Sequence, residues 1–405
     1  MKVIILGGGS DQITLIEKVK HDCSDIILVD YYDNPPARPY ATRHYKTSTL
    51  DVDAVEAVAK HENVDRIITA CIDQALLTGA IVSERLNLPF YISHRQALEV
   101  THKTLMKQRF VELGIQSPRY HIVNNDSTDI PEHLKYPVIV KPADRNGSMG
   151  VTLAYNSADV IAAVTEALTM SRSRSVVIEE FVEGTELSVD VYVNNSEVHI
   201  LLVTVSHKLP NQAGFAIQRS IYPAPLSHTD HSAIHGIVTQ IASGFGITNG
   251  PMIVQLIHDQ EGFHVLEFGA RIAGGSKHHF LKRTTGFDVM QAFVDMTFGR
   301  MVEVNIQHLA KWAAMTYVYC HPGRFHTVTG LETSVSSGFI DSWNMYKTPG
   351  MEIEGHFASR DRPMSYCTVA TSKEELHARL LSAEESIHII DNNGNDLTLR
   401  SGVQI

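Results

Sequence analysis

The chain has little cysteine, no long apolar run and no surplus of positive charge, and each shortage closes off a class of protein. Its four cysteines, Cys23, Cys71, Cys320 and Cys367, lie far apart with no CxxC pair. That spacing argues against a zinc ribbon and for reduced thiols in a cytoplasmic setting. No stretch approaches the roughly eighteen consecutive apolar residues of a membrane span. The N-terminus runs straight into Lys2-Val3-Ile4-Ile5-Leu6-Gly7, so no signal peptide is expected. With 34 Lys and Arg against 45 Asp and Glu, the formal charge is −11. No basic stripe offers itself to a phosphate backbone, so nucleic acid is not an expected partner. Several nucleophile and phosphate motifs are missing too. There is no G-x-x-x-x-G-K-[ST] loop, no G-x-S-x-G elbow, and no H-R-D or D-F-G element behind a lysine strand.

What is present is a globular composition, 405 residues with 43% apolar and 20% charged side chains, enough for two to three domains. Residues 1–100 alternate strands (3–6, 26–29, 66–70, 89–92) with helices (11–20, 51–60, 74–86), a pattern that predicts a parallel sheet flanked by helices. The turn Gly7-Gly8-Gly9-Ser10 and the later Asp30 imitate a dinucleotide fingerprint, but Gln12 stands where its last glycine belongs. The turn therefore reads as a tight bend at one side of a cleft. Residues 101–135 read as a helical connection ending near Gly114, with a polar loop at 124–131. From 136 to about 205 the chain is β-rich around one helix (157–170). Helices at 230–245 and 287–298 then frame strands at 252–257 and 264–268. After about 305 it is β-rich again, with one helix at 372–384. His228, His231 and His235 share a helical face, yet no acidic or cysteine partner is near in sequence, and a solvated helix start is the favoured reading. His278 and His279 are better placed, as substrate contacts.

Two segments carry the chemistry. In the first, the apolar strand 138–140 ends at Lys141. The loop 144–150 follows, with Gly147, Ser148 and Gly150, and then Val176-Val177-Ile178-Glu179-Glu180-Phe181-Val182-Glu183-Gly184-Thr185-Glu186. A lysine beside free N–H groups suits phosphate. The 179–182 backbone can pair with an adenine edge, and Glu186 can take ribose hydroxyls. Lys107 or Lys103 could add a second cation. In the second segment, Gln255 and Glu267 lie on neighbouring strands joined by a hairpin, oxygen ligands of the kind a hard Mg2+ accepts. Arg271, four residues beyond Glu267, points toward the same place and can stabilise a transferring phosphoryl group. For substrate, Lys208 and Arg219 flank a glycine-containing loop (211–215), and the N–H groups of Gly274, Gly275 and Ser276 could help Arg219 hold a carboxylate.

The order of these parts, from the lysine and glycine-rich loop through I-E-E-F-V-x-G-x-E and Gln to E-x-x-x-R-x-x-G-G, resembles the ATP-grasp superfamily over about residues 1–305. The resemblance is to its carbamoyl-phosphate-synthase-like and L-amino acid ligase branch. It implies an α/β and α+β fold in three parts: a Rossmann-like pre-ATP-grasp domain (1–100), an ATP-grasp domain (101–305, with 136–205 as a mobile lid over ATP) and a small β-rich C-terminal α+β domain (306–405). Carried over, Lys107 and Lys141 become phosphate contacts, beside the Ser148 hydroxyl that the glycine-rich loop itself offers to phosphate oxygens. Glu179, Glu180 and Val182 become the adenine hinge, where Phe181 and Val182 can pack on the faces of the base. Glu186 becomes the ribose carboxylate, Gln255 and Glu267 metal ligands, and Arg271 the catalytic arginine. Two positions depart from the pattern: Gln255 is often glutamate, and Gly269 is usually asparagine. A single Mg2+ (or Mn2+) is therefore expected beside ATP. The implied activity is a cytoplasmic ligase joining a small carboxylic or amino acid to an amine through an acyl phosphate, releasing ADP and phosphate, and working as a homodimer. A ligase of nucleotide metabolism, resembling carbamoyl-phosphate synthase or phosphoribosylglycinamide synthetase, and a non-catalytic nucleotide-binding protein stand as alternatives.

Overall fold

The computed structural model describes residues 1–125, 133–210 and 215–405. The polar loop expected at 124–131 and the glycine-containing loop expected at 211–215 fall mostly outside them. The mixed α/β architecture follows from the alternation read above. Strands Lys2–Leu6, Asp25–Asp30, Arg43–Lys46 and Arg66–Ile68 form an all-parallel sheet in the order third, second, first, fourth. Ile4, Leu6, Ile27 and Val29 bury one face of this sheet and Val3, Ile5 and Leu28 the other, as expected for strands covered on both sides. Residues 89–92, expected as a further strand, are irregular. Pro89 has no N–H to donate to a ladder, and the chain turns there into the capped helix His94–Thr101. Ser93 and Gln96 form a reciprocal capping box at its start.

The next helix, Lys103–Leu113, ends at Gly114 in the left-handed conformation (φ 65°). A small antiparallel sheet follows, built from Tyr120–Asn124, Ser175–Glu180, Val138–Pro142 and Thr152–Ala154 and backed by the helix Ser157–Met170. It closes at Glu180. The strands Thr185–Asn194 and Glu197–Lys208, much of which sequence reading grouped with the lid, belong instead to an eight-stranded antiparallel sheet. That sheet begins with the hairpin Gly262–Gly269 and Gly250–Asp259, continues through Thr185–Asn194, Glu197–Lys208 and Ile217–Tyr222, and ends with Trp312–Tyr317, Met364–Ala370 and Ser342–Met345. The change in character expected near 305 therefore falls inside one continuous sheet.

Helices Lys277–Thr285 and Val289–Thr297 pack between this sheet and the N-terminal one. A single apolar cluster runs from Val3 and Leu28 through Phe280, Met290 and Phe293 to Met315 and Tyr317, joining all three regions. Asp288 fastens the junction. It caps the second of these helices and ion-pairs with both Lys18 and Lys282 at 2.8 Å. Burial opposes its ionisation, but the two lysines prevail and hold its carboxyl down at about 2. Among the described residues no helix is long and apolar enough to cross a membrane.

Candidate active site

The two chemistry-bearing segments meet in one cleft between the small sheet and the large one. Its walls are Lys103, Lys141, the loop 145–149, Glu180, Phe181, Val182, Glu186, Lys208, Gln255 and Glu267, with Ile139, Ile257 and Leu266 supplying apolar faces. Strand alternation explains the floor. Gln255 pairs with Glu267 on one side and Ser188 on the other, and Ile257 pairs with Glu186. Residues directly opposite share a face, so Gln255, Glu267 and Glu186 rise from the sheet together.

The cations are arranged by a carboxylate that sequence reading assigned elsewhere. Glu179, expected at the adenine hinge, is only 2% exposed. Its two oxygens take Lys107 Nζ at 2.9 Å and Lys141 Nζ at 2.8 Å. Burial raises its pKa, but the two ammoniums outweigh burial and hold it below the usual range. Lys107 is corrected as well. It also donates to Ser117 Oγ at 2.7 Å and lies beneath the cleft without lining it, where burial lowers its ammonium to about 8 despite Glu179. The lysine that enters the cleft beside Lys141 is Lys103. Its Nζ donates to Arg145 O at 2.6 Å and lies 3.2 Å from Glu267 Oε2, tying the glycine-rich loop to the expected metal ligand. Glu267 titrates at about 2: burial opposes this, but Lys103 and Lys141 overcome it.

The loop's backbone needs its glycines. Gly147 and Gly150 have φ of 67° and 71°, and a Cβ on Gly150 would lie 2.8 Å from Met170 Sδ. Ser148 also adopts a positive φ, and its hydroxyl donates to Phe215 O at 3.2 Å. At the hinge, Phe181 N–H donates to Pro137 O and the Glu180 carboxylate accepts Lys135 N–H, both at 2.9 Å. Backbone and the apolar walls are therefore what a planar base would meet.

The expected substrate residues separate. Lys208 belongs to the nucleotide cleft, 2.7 Å from Glu186. Arg219 is on the opposite side of the sheet, 1% exposed, donating to Thr316 Oγ1 at 3.1 Å and facing Glu384 at 3.5 Å. It pairs with His207, one residue before Lys208, and period-two alternation turns it away. Arg219 and Gly274–Ser276 therefore do not form one carboxylate site. Gly274, Gly275 and Ser276 instead face the C-terminal ends of the N-terminal strands. Ser276 Oγ donates to Asp11 at 2.8 Å, and a Cβ on Gly275 would lie 2.7 Å from the Tyr317 ring.

Arg271 is gripped through two nitrogens by Asp73, each contact 2.5 Å, and although burial opposes it, Asp73 raises its pKa further. Its positive charge also helps lower Glu267. Sequence reading missed Asp73, Asp11, Cys71 and the buried Lys277–Asp190 pair (2.6 Å). One signal was available: Asp11, Cys71 and Asp73 follow the ends of parallel strands, where such sheets place ligands. His278 and His279 are both lowered to about 4, mainly by burial. The helix bearing His228, His231 and His235 is capped by Ser227 and Asp230. The Asp30 carboxylate is occupied by the N–H groups of Gly8 (2.7 Å) and Tyr32 (2.8 Å), so it is not free for a ribose.

Comparison with known proteins bears on the same region. Residues 134–278 match the ATP-grasp domain family. Among curated proteins, the formate-dependent phosphoribosylglycinamide formyltransferase of Sulfurisphaera tokodaii is 25% identical over 62% of this chain and 66% of its own length. The protein of that name from Ignicoccus hospitalis is 28% identical over 52% and 54%. The match thus spans between half and two thirds of these relatives. Among solved structures, L-amino acid ligase from Bacillus licheniformis superposes with a TM-score of 0.81 at 22% identity, covering 97% of this chain and 99% of that one. Phosphoribosylglycinamide synthetase from Anaerococcus prevotii gives 0.73 at 18%, covering 96% and 99%. Residues 134–278 thus match the ATP-grasp domain family, and the chain as a whole shares the fold of these solved structures.

Proposed function

We propose that this protein is an ATP-dependent, ADP-forming ligase that joins a small carboxylic or amino acid to an amine. The observation that carries the reading is convergence: Lys141, Lys103, the glycine-rich loop, Gln255 and Glu267 all face one cleft. Lys141 and Lys103, with the loop N–H groups, would hold the triphosphate, and Glu186 would hold the ribose. Glu267, ionised at any physiological pH, fits a hard cation, whereas the neutral Gln255 adds only a weak ligand. The residues therefore fit one Mg2+, or Mn2+ in its place, which would polarise the γ-phosphoryl group when bound.

A carboxylate oxygen of the acid attacks the γ-phosphorus, and the bond to ADP breaks. The amine then attacks the acyl carbon, phosphate leaves, and the ammonium proton passes to solvent. No side-chain nucleophile is required. The chain's part is positioning and charge stabilisation, with Arg271 oriented by Asp73 beside Glu267. Two further expectations belong to this reading: of the lid expected at 136–205, the part in the small sheet, Val138–Pro142 to Ser175–Glu180, acts as the cover over ATP, and the protein works as a homodimer.

The names of the curated relatives motivate a second reading, formyl transfer to a phosphoribosyl amine. The acidic Asp30 under the Gly7–Ser10 turn weighs against a phosphate there. The test is ADP and phosphate release from Mg-ATP across a matrix of amino acids, simple amines, formate and phosphoribosylglycinamide, with products weighed by mass spectrometry. A product equal to acid plus amine minus water supports the ligase and names its substrates. Turnover only with formate and the phosphoribosyl amine supports the second reading. ATP binding with no turnover across the matrix would sink both.

A further inference from the structure

Beyond the C-terminal ends of the N-terminal strands, three side chains of different chemistry converge outside the walls of the nucleotide cleft. Asp11 opens the first helix, Cys71 follows the last parallel strand, and His278 lies in the first turn of the helix Lys277–Thr285. One ligand atom from each, a carboxylate oxygen, the sulfur and a ring nitrogen, lies within 4.8 Å of the other two. Asp11 Oδ1 and His278 Nδ1 are 3.8 Å apart. A tetrahedral zinc ion with bonds of about 2.0 to 2.3 Å separates such ligands by roughly 3.3 to 3.6 Å, so small side-chain shifts close the site.

The second observation is the histidine itself. His278 is 4% exposed, and among the described residues neither of its ring nitrogens has a hydrogen-bond partner. A buried imidazole with both nitrogens unsatisfied is costly and calls for an explanation. Its neighbour His279 differs, with Nε2 3.4 Å from Thr14 Oγ1. Asp11 is already oriented by the Ser276 hydroxyl, the kind of outer contact that fixes a metal-binding carboxylate.

We propose that Asp11, Cys71 and His278 form a binding site for a borderline-soft divalent cation, Zn2+ in the first instance. The site is distinct from the Mg2+ position at Glu267. The ligand set is one sulfur, one nitrogen and one oxygen. Sulfur and imidazole select Zn2+ over Mg2+, and three protein ligands leave a fourth position for solvent or a substrate donor atom. On binding, the Cys71 S–H proton goes to solvent and the thiolate sulfur bonds the ion. The ion would link the ends of two parallel-sheet connections to the glycine turn 274–276.

The test uses the full chain, stripped of metal with a chelator and kept reduced, with no nucleotide or amine present. Its failure is therefore separable from failure of the ligase reading. Zn2+ alone is titrated calorimetrically, and Co2+ is titrated by absorption. The expected result is one Zn2+ per chain and, with Co2+, an intense near-ultraviolet thiolate-to-metal band with visible bands of four-coordination. Cys71→Ser should abolish the thiolate band, and His278→Ala should weaken Zn2+ binding by tenfold or more. Unfolding curves for each variant establish that it is folded. Absence of a thiolate band in the wild-type protein overturns the proposal whatever the variants do. So does Zn2+ binding that both variants leave unchanged, which would place the ion on surface histidines.

Discussion

At the residue scale, Glu179 organises the cleft although it does not line it. Removing its charge leaves Lys107 and Lys141 buried with no anion between them, a change that typically costs about 3–5 kcal/mol. Glu179→Gln should lose stability of that order in urea denaturation; a loss under about 1 kcal/mol would mean that the pairing matters little. Glu267→Gln should behave differently. Lys103 keeps Arg145 O and Asn146 Oδ1 as partners, so the fold should survive, while Mg2+-dependent turnover drops by about 100-fold or more. A variant with near-normal turnover would remove Glu267 from the metal site. That Lys141, Gln255 and Glu267 converge on one cleft was legible in the sequence because each stands on or at the end of an apolar strand beside a glycine loop or hairpin. Lys103 and Lys107 could not be ranked that way. They are one helical turn apart on one face, and only the strand packed above them decides which reaches the cleft. Asp73 and Asp11 carried no local pattern at all, since their partners Arg271 and Ser276 are far along the chain.

At the scale of elements, alternation and capping decide most placements. Arg219 shows how alternation misleads when register is unknown. The ladder is irregular between His207 and Lys208, and one residue of slip moves a side chain to the other face. Placed where it is, Arg219 supports the helix Lys373–Ser386 through Glu384. Arg219→Ala should cost about 3–5 kcal/mol of stability by stranding that carboxylate, with KM for ATP unchanged in the folded fraction. A raised KM without a stability loss would return Arg219 to the substrate site. Asp288 gives a pH-dependent counterpart. Its folded pKa, about 2, lies below the ordinary 3.8. Its contribution is therefore complete above about pH 4 and is lost as pH falls toward 2. Asp288→Asn should lower stability by about 2 kcal/mol at pH 7, and urea curves taken at falling pH should show the gap closing below about pH 4. A gap constant down to pH 3 would contradict the assignment.

For the whole molecule, the sequence signalled three regions through changes in strand and helix pattern, and the parallel N-terminal sheet appears as its alternation implied. What it did not reveal is that the large sheet ignores the second boundary. The Ile217–Tyr222 strand pairs on one side with Glu197–Lys208 and on the other with Trp312–Tyr317. That second pairing joins residues about a hundred positions apart, and composition is silent about it. Its consequence concerns dissection. A fragment cut at residue 305 would keep every proposed nucleotide-contacting residue yet lay open a row of N–H and C=O groups along Ile217–Tyr222, with Ile221 and the back of Arg219 uncovered. An open edge of that kind recruits other chains. The shortened protein should therefore collect in oligomers and aggregates when sized by light scattering, and a monodisperse monomer would show that the sheet can end there. The segment after 305 thus covers a strand edge that would otherwise be open to pairing with other chains.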